Sequence, residues 1–490
     1  MLFSSIEFLF VFLPAVVAGF AACAGIVSLR AGTLWLVAAS LFFYGYWDVS
    51  LLPLLFGSIA VNYVCGRFLF AKQSRSVLWG GLLFNIALLA YFKYAGFLVD
   101  NVEAALGTEI ANLNIVLPLA ISFFTFQQIA YLVDIYRGRA VEPDLLDYML
   151  FVSFFPQLIS GPIVHHSEMM PQFRDRSRRW FQRGLIVPAF GFIVIGLYKK
   201  VVLADGIAPI ADQVFSAANT DVPSFVDAWS GALAYTFQIY FDFSAYTDMA
   251  IGIALLFGIR LPMNFNSPYR ATSIIEFWRR WHMTLSRFIR DYIYIPLGGN
   301  RHGPSRRYVN LMAAMLIGGL WHGAAWTFVL WGGLHGAYLI VNHLFRRLFP
   351  RPETLSVLAV WTGRLLTFAS VIVAWVFFRA DDFGGASRML QGMFGLANGE
   401  PVLSGGRVYL WLAAMLIIVW FMPNSWQIFR KYDPILLPKI AKSAGKETPV
   451  PTGRFPIFML APLGLALCIV SLLIVIARGG DTQGFIYMIF

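Results

Sequence analysis

The chain of 490 residues is 59% hydrophobic, 17% aromatic and only 13% charged, where a soluble domain carries about 25% charged residues. So few charges cannot cover a globule of this size with a water-compatible surface, and lipid must be part of its solvent. The net charge of +11 comes from Lys and Arg residues placed between apolar segments, which assigns it to topology and anionic lipid and leaves no nucleic-acid partner to be expected.

In chain order, segments apolar enough to span or nearly span a bilayer fall at roughly 8–29, 33–48, 51–70, 77–92, 114–135, 184–204, 229–258, 308–326, 327–345, 355–378, 408–422 and 455–477. The expected fold is all-α: a polytopic membrane protein of about 12 transmembrane segments with re-entrant and interfacial helices. It reads as a single membrane-embedded domain over 1–490, with a motif core at about 114–345 and C-terminal helices at 355–477. The first segment lacks a basic n-region and reads as a retained transmembrane helix. Residues 148–164, MLFVSFFPQLISGPIVH, are apolar but broken by Pro156, Gly161 and Pro162. That predicts a re-entrant or unwound segment, tolerated only where protein or water surrounds it. Cys23, Cys65 and Cys468 lie in apolar runs, match no metal or redox spacing, and read as small buried hydrophobes.

Charge bias orients the chain. Residues 171–183 hold Arg174, Arg176, Arg178, Arg179 and Arg183, and residues 430–454 hold Arg430, Lys431, Lys439, Lys442, Lys446 and Arg454. Both should be cytoplasmic, as should 260–307. Residues 205–228 hold four Asp and no base, and 100–113 hold Asp100, Glu103 and Glu109; both should face the other side. Twelve spans threaded through these constraints put both termini outside. Lys93 and Lys199–Lys200 fit poorly near outer ends, so either they line a polar cavity or the boundaries differ.

Ionisable residues inside a membrane are costly and are functional candidates by default. The run 237–266 carries Gln238, Asp242, Ser244, Thr247 and Asp248. Asp242 is either a general acid–base group or a hydrogen-bonded packing residue between helices. In 272–301 the recurrence of Ile274, Phe277, Trp278, Trp281, Leu285, Phe288 and Ile289 predicts an amphipathic interfacial helix over 274–295. Its Arg279, Arg280, Arg287 and Arg290 bind either lipid headgroups or an anionic donor, and His282 falls on the apolar face, as a core residue or a working one. In 316–336, His322 sits deep in an uncharged stretch among Gly318, Gly319, Gly323, Ala324 and Ala325; a buried neutral imidazole suits a general base for a hydroxyl. His335, thirteen residues on, reads as structural. There is no GxSxG elbow, Walker loop or HExxH, and no pair of histidines has metal-ligand spacing, so no metal is expected.

Five stretches together closely resemble the membrane-bound O-acyltransferase family: LPLAISFFTFQQIAYLVDIYRG (117–138), FPQLISGPIVHH (155–166), YFDFSAYTDMAIGIALLFG (240–258), NFNSPYRATSIIEFWRRWHMTLSRFIRDYIYIPLGGNR (264–301) and GGLWHGAAWTFVLWGGLHG (318–336). The resemblance is to the bacterial branch that serves alginate O-acetylation and teichoic-acid D-alanylation. It covers most of the first 380 residues in order, and only hydropathy matches beyond. It implies a ring of tilted helices with a donor funnel on one side and an acceptor opening on the other. It implies catalytic His322 and His282; Gln238, Asp242, Asp248 and Trp321 read as buried polar support. It further implies a multi-pass protein of the bacterial inner membrane with no bound cofactor. The donor substrate would be acetyl-CoA or another acetyl thioester, and the partner a periplasmic serine-type acetyltransferase. Read without the resemblance, the same residues admit a transporter or flippase for a polysaccharide or lipid intermediate, or an idle scaffold of an exopolysaccharide complex.

Overall fold

A computed structural model describes residues 1–107, 115–139, 142, 144–175, 183–350, 356–397, 399, 401–430, 460–477 and 484–486. Among them every regular element is helical, as a hydrocarbon solvent demands of a chain that must satisfy its own backbone polar groups. Seven helices are long and apolar enough to cross a membrane: Glu7–Val27, Val49–Ala71, Arg75–Leu106, Gly184–Ala217, Phe225–Leu256, Trp326–Leu348 and Val357–Arg379. Leu29–Gly45, Arg407–Phe421 and Gly464–Ala477 are shorter apolar helices. Ile121–Tyr136 and Gly303–His322 occupy the remaining expected segments. The chain is thus a polytopic helical membrane protein. Phe225–Leu256 is buried along its whole apolar window, whereas Arg75–Leu106 leaves most of its window for lipid.

The described residues cluster into two units. The first draws on Met1–Tyr198, Ala245–Pro262 and Gln427–Ile489. Its neighbouring helices are joined by polar pairs. Asn62 and Asn85, both fully buried, donate amide protons to each other's side-chain oxygen at 3.3 and 2.7 Å. Lys93 is buried and donates to Ser122 Oγ at 3.1 Å. The broken segment lies here as expected. Leu145–Ser153 ends at Phe154, one turn follows over Phe155–Leu158, and the Phe155 N–H is taken up by Ser40 Oγ at 3.1 Å. Residues 150–164 are buried throughout, so protein supplies the surroundings an unwound segment needs. A Cβ on Gly161 would lie 2.3 Å from the Gln157 Cα, which is why glycine stands there. Cys23, Cys65 and Cys468 are unbridged and half-buried, less enclosed than expected. Of the basic clusters, residues 176–182 and 431–454 lie outside the described residues; Arg174 pairs with Asp147.

The second unit draws on Lys199–Ser244 and Met263–Trp426. It explains the misfitting lysines. Residues Lys199–Ala204 are wound as a π-helix, whose wider turn carries residues five apart to one face. Lys200 and Asp205 therefore meet at 2.9 Å, and Asp242 approaches the same ammonium at 2.8 Å. All three are buried. Lys199 donates to Ser425 Oγ at 3.0 Å. Asp242 is thus a partner in an interhelical ion cluster.

Gly303–His322 and Trp326–Leu348 pack closely on each other through glycines. A Cβ on Gly319 would sit 2.3 Å from the Phe328 carbonyl oxygen and 3.1 Å from the Gly332 Cα, and one on Gly332 would sit 2.4 Å from the Met315 carbonyl oxygen. Small residues that let backbones touch are a recurrent device of membrane helices. Gly319→Val is expected to force the pair apart, with overpacking costing about 1–3 kcal/mol, and to lower transfer activity through the displaced His322 one turn away. Thermal melting of purified protein in detergent, together with acyl-transfer rate, checks it. Unchanged melting and rate would show that the helices have slack at this position.

Candidate active site

The continuous amphipathic helix expected over 274–295 is not formed. Ile274–Trp278 is a short helix, Met283–Phe288 another, and Ile289–Tyr294 a π-helical turn. Between the first two, His282 adopts φ 40°, ψ 55°, in the left-handed region. An L-residue with a Cβ pays about 1–2 kcal/mol to stand there. The apolar residues are nevertheless buried as their spacing suggests: Ile274, Phe277, Trp281, Leu285, Phe288 and Ile289 all face inward. His282 owes its burial to the break and not to a helical face.

His322 also departs from expectation. The sequence places it inside a span at 308–326, but it is the last residue of Gly303–His322, followed by extended Gly323. A Cβ on Gly323 would strike the Phe328 ring at 2.1 Å, so the chain turns on glycine. The imidazole is 2% exposed. The rings of Trp321, Trp331 and Phe378 pack edge-on to it, with centroids at 4.9, 5.1 and 5.2 Å. Trp375 continues the wall, 5.7 Å from Trp331 and 5.2 Å from Phe378.

The two histidines share this enclosure. Their ring centroids are 6.5 Å apart, and Trp321 touches both, lying 6.2 Å from His282. Phe243 closes His282 from another side at 4.8 Å. His282 Nδ1 lies 3.0 Å from Asn264 Oδ1. Burial pushes the His282 imidazole down to about 3, so it is neutral at physiological pH. His335 is fully buried and stacks on Phe277 at 5.9 Å, with Trp278 at 5.1 Å and Trp331 at 4.8 Å. Among the described residues neither of its ring nitrogens has a hydrogen-bond partner.

The other candidates are scattered around this pair or apart from it. Trp321 belongs to the enclosure. Gln238 and Asp242 are buried in the second unit, and Asp248 is buried in the first. Arg280 is held by Glu276 at 2.8 Å and by the Asn266 carbonyl at 3.1 Å. Arg290 is exposed and pairs with Asp291 at 2.7 Å. Arg287 is half-buried, and Arg279 is exposed. Arg279, Arg307 and Arg346 all act electrostatically on His343, with the Arg307 guanidinium 3.0 Å from its ring nitrogens. The sequence reading passed over Asn264, Trp331, Trp375 and Phe378. Asn264 and Trp331 carried a signal, since each lies in a family-like stretch, at 264–301 and 318–336.

Fold and site together define a multi-pass helical membrane protein enclosing a pair of buried histidines in an aromatic wall. The sequence pattern of the membrane-bound O-acyltransferase family matches residues 137–380. The chain is 47% identical over 431 residues to the peptidoglycan O-acetyltransferase of Helicobacter pylori, covering 81% of this chain and 80% of that one. It is 42% identical over 410 residues to the probable alginate O-acetylase AlgI of Azotobacter vinelandii, covering 81% and 79%. A teichoic acid D-alanyltransferase of Streptococcus thermophilus is 28% identical over 289 residues, covering 53% and 68%. The chain belongs to the membrane-bound O-acyltransferase family and is an O-acyltransferase.

Proposed function

We propose that this enzyme takes acetyl from a cytoplasmic thioester, acetyl-CoA, and relays it across the bacterial inner membrane. The receiver is a periplasmic serine-type acetyltransferase that O-acetylates an exported polysaccharide such as alginate. The observation that carries the reading is the 6.5 Å approach of two buried imidazoles in one enclosure. The printed functions of the relatives, peptidoglycan O-acetylation and alginate O-acetylation, support acetyl as the group and a cell-surface polymer as its destination.

In the step itself, an acceptor hydroxyl oxygen attacks the thioester carbonyl carbon while His322 takes the hydroxyl proton. The C–S bond breaks, and the proton passes from the imidazolium to the leaving thiolate. Ester and free thiol result, and the imidazole is neutral again. His322 ends its helix, where the unsatisfied carbonyls favour the transient positive charge by about 0.3–1 kcal/mol. The aromatic wall excludes water that would compete with the acceptor. His282 orients the reacting groups. For the donor phosphates, Arg280 and Arg290 are committed to Glu276 and Asp291. Exposed Arg279 is the better placed of the four candidates.

Charge bias supports the direction of the relay: 260–307 lies cytoplasmic, and both termini lie periplasmic. Purified protein in sealed liposomes, with labelled acetyl-CoA on one side and the partner on the other, is expected to move label onto the partner. Transfer only when donor and partner share a side would sink the relay. Full-rate acetylation of free oligosaccharide without a partner would do the same.

A further inference from the structure

We propose that Asn264 is the positioning residue for His282, fixing which ring nitrogen carries the proton and so making the imidazole an acceptor toward the reacting hydroxyl. This rests on the role given to His282 above. It settles a point the motif leaves open, whether His282 polarises the thioester carbonyl or holds the nucleophile.

Asn264 is fully buried. Its Oδ1 meets three groups: His282 Nδ1 at 3.0 Å, the Thr284 backbone N–H at 3.3 Å and Thr284 Oγ1 at 3.0 Å. A backbone N–H can only donate, so the side-chain atom facing it is an acceptor oxygen and the amide orientation is fixed. An acceptor oxygen opposite His282 Nδ1 requires that nitrogen to carry the proton. In the neutral ring the other nitrogen, Nε2, then holds the lone pair. A neutral Nδ1–H imidazole cannot donate from Nε2 to a developing oxyanion. It can accept the proton of an attacking hydroxyl or align that hydroxyl.

The backbone adds a second constraint. The Asn264 carbonyl accepts the Met283 N–H at 3.0 Å, so residues 282, 283 and 284 are each tied to Asn264. That anchoring spans the position where His282 takes φ 40°, a conformation that persists only when its surroundings over-determine it. One side chain and one carbonyl thus hold both the ring proton and the strained turn presenting the ring. Phe243 and Trp321 also pack against the ring, with His322 beyond; Asn264 supplies a polar direction.

Membranes from cells expressing each variant at matched abundance, given radiolabelled acetyl-CoA, report the initial rate of acetyl incorporation into polymer. Asn264→Leu keeps the volume and removes the acceptor; Asn264→Asp keeps the acceptor. Asn264→Leu is expected to lower the rate by on the order of 10²-fold, as is His282→Gln. The double variant should fall no more than about threefold below the worse single one, because both changes remove the same interaction. Asn264→Asp should return to within about tenfold of the parent. If Asn264→Leu does not accumulate in the membrane, Asn264→Ser carries the same cycle. Losses that multiply in the double variant would overturn the proposal, as would an Asp variant as inactive as the Leu variant. Full activity of Asn264→Leu beside an inactive His282→Gln would remove Asn264 alone. Full activity of His282→Gln would remove the role of His282 on which the inference stands.

Discussion

Changing His322 to alanine is expected to cut acetyl transfer by on the order of 10³-fold, the range of a general base removed from its transition state, while the protein still reaches the membrane. The imidazole touches Trp321, Trp331 and Phe378, so truncation also leaves a cavity. A cavity of that kind costs stability by an amount that depends on how far the walls collapse. His322→Gln separates the two effects, since it fills most of the space and cannot shuttle a proton. Both variants should be inactive, and the glutamine variant should melt within a few degrees of the parent. The measurements are acetyl content of secreted polymer, membrane abundance by immunoblot, and melting in detergent. Near-normal acetylation by either variant at normal abundance would remove His322 from the mechanism and favour an idle scaffold.

The sequence exposes that histidine for a simple physical reason: an ionisable group deep in an uncharged run is costly in lipid and is a functional candidate by default. The spans are legible on the same ground, because the bilayer forces long apolar segments to close their own backbone hydrogen bonds. The unwound stretch after Ser153 announces itself through Pro156, Gly161 and Pro162. What the sequence hides is pairing across distance. Asn264 lies eighteen residues before His282, and no periodicity links them. The break at His282 is invisible to a helical wheel, which registers recurring apolar residues on either side of a single left-handed residue. His322 moved from mid-helix to helix end because Gly323 turns the chain, and hydropathy does not resolve a three-residue link between two apolar helices.

The buried ion cluster of the second unit is the clearest case of such hidden pairing, and it carries the largest expected loss of stability. Lys200 is 1% exposed and sits 2.9 Å from Asp205 and 2.8 Å from Asp242. Asp205 comes to it along a π-helical turn, and Asp242 belongs to the separate Phe225–Leu256 helix. A buried ion pair adds little compared with apolar residues of the same shape, because desolvation offsets attraction; breaking one from a single side costs about 3–5 kcal/mol. Lys200→Met should therefore destabilise by about that much, since two carboxylates stay buried without the ammonium that balances them. Adding Asp205→Asn and Asp242→Asn should recover most of the loss, because the amides need no counter-charge. Melting of the three proteins in detergent, followed by tryptophan fluorescence, separates the alternatives. A Lys200→Met protein as stable as the parent would show the carboxylates balanced from elsewhere. A triple variant no more stable than the single one would show that Lys200 acts through its packing and not its charge. Restored stability with restored acetyl transfer would make the cluster a clamp between helices, with Asp242 taking no part in the chemistry at His322.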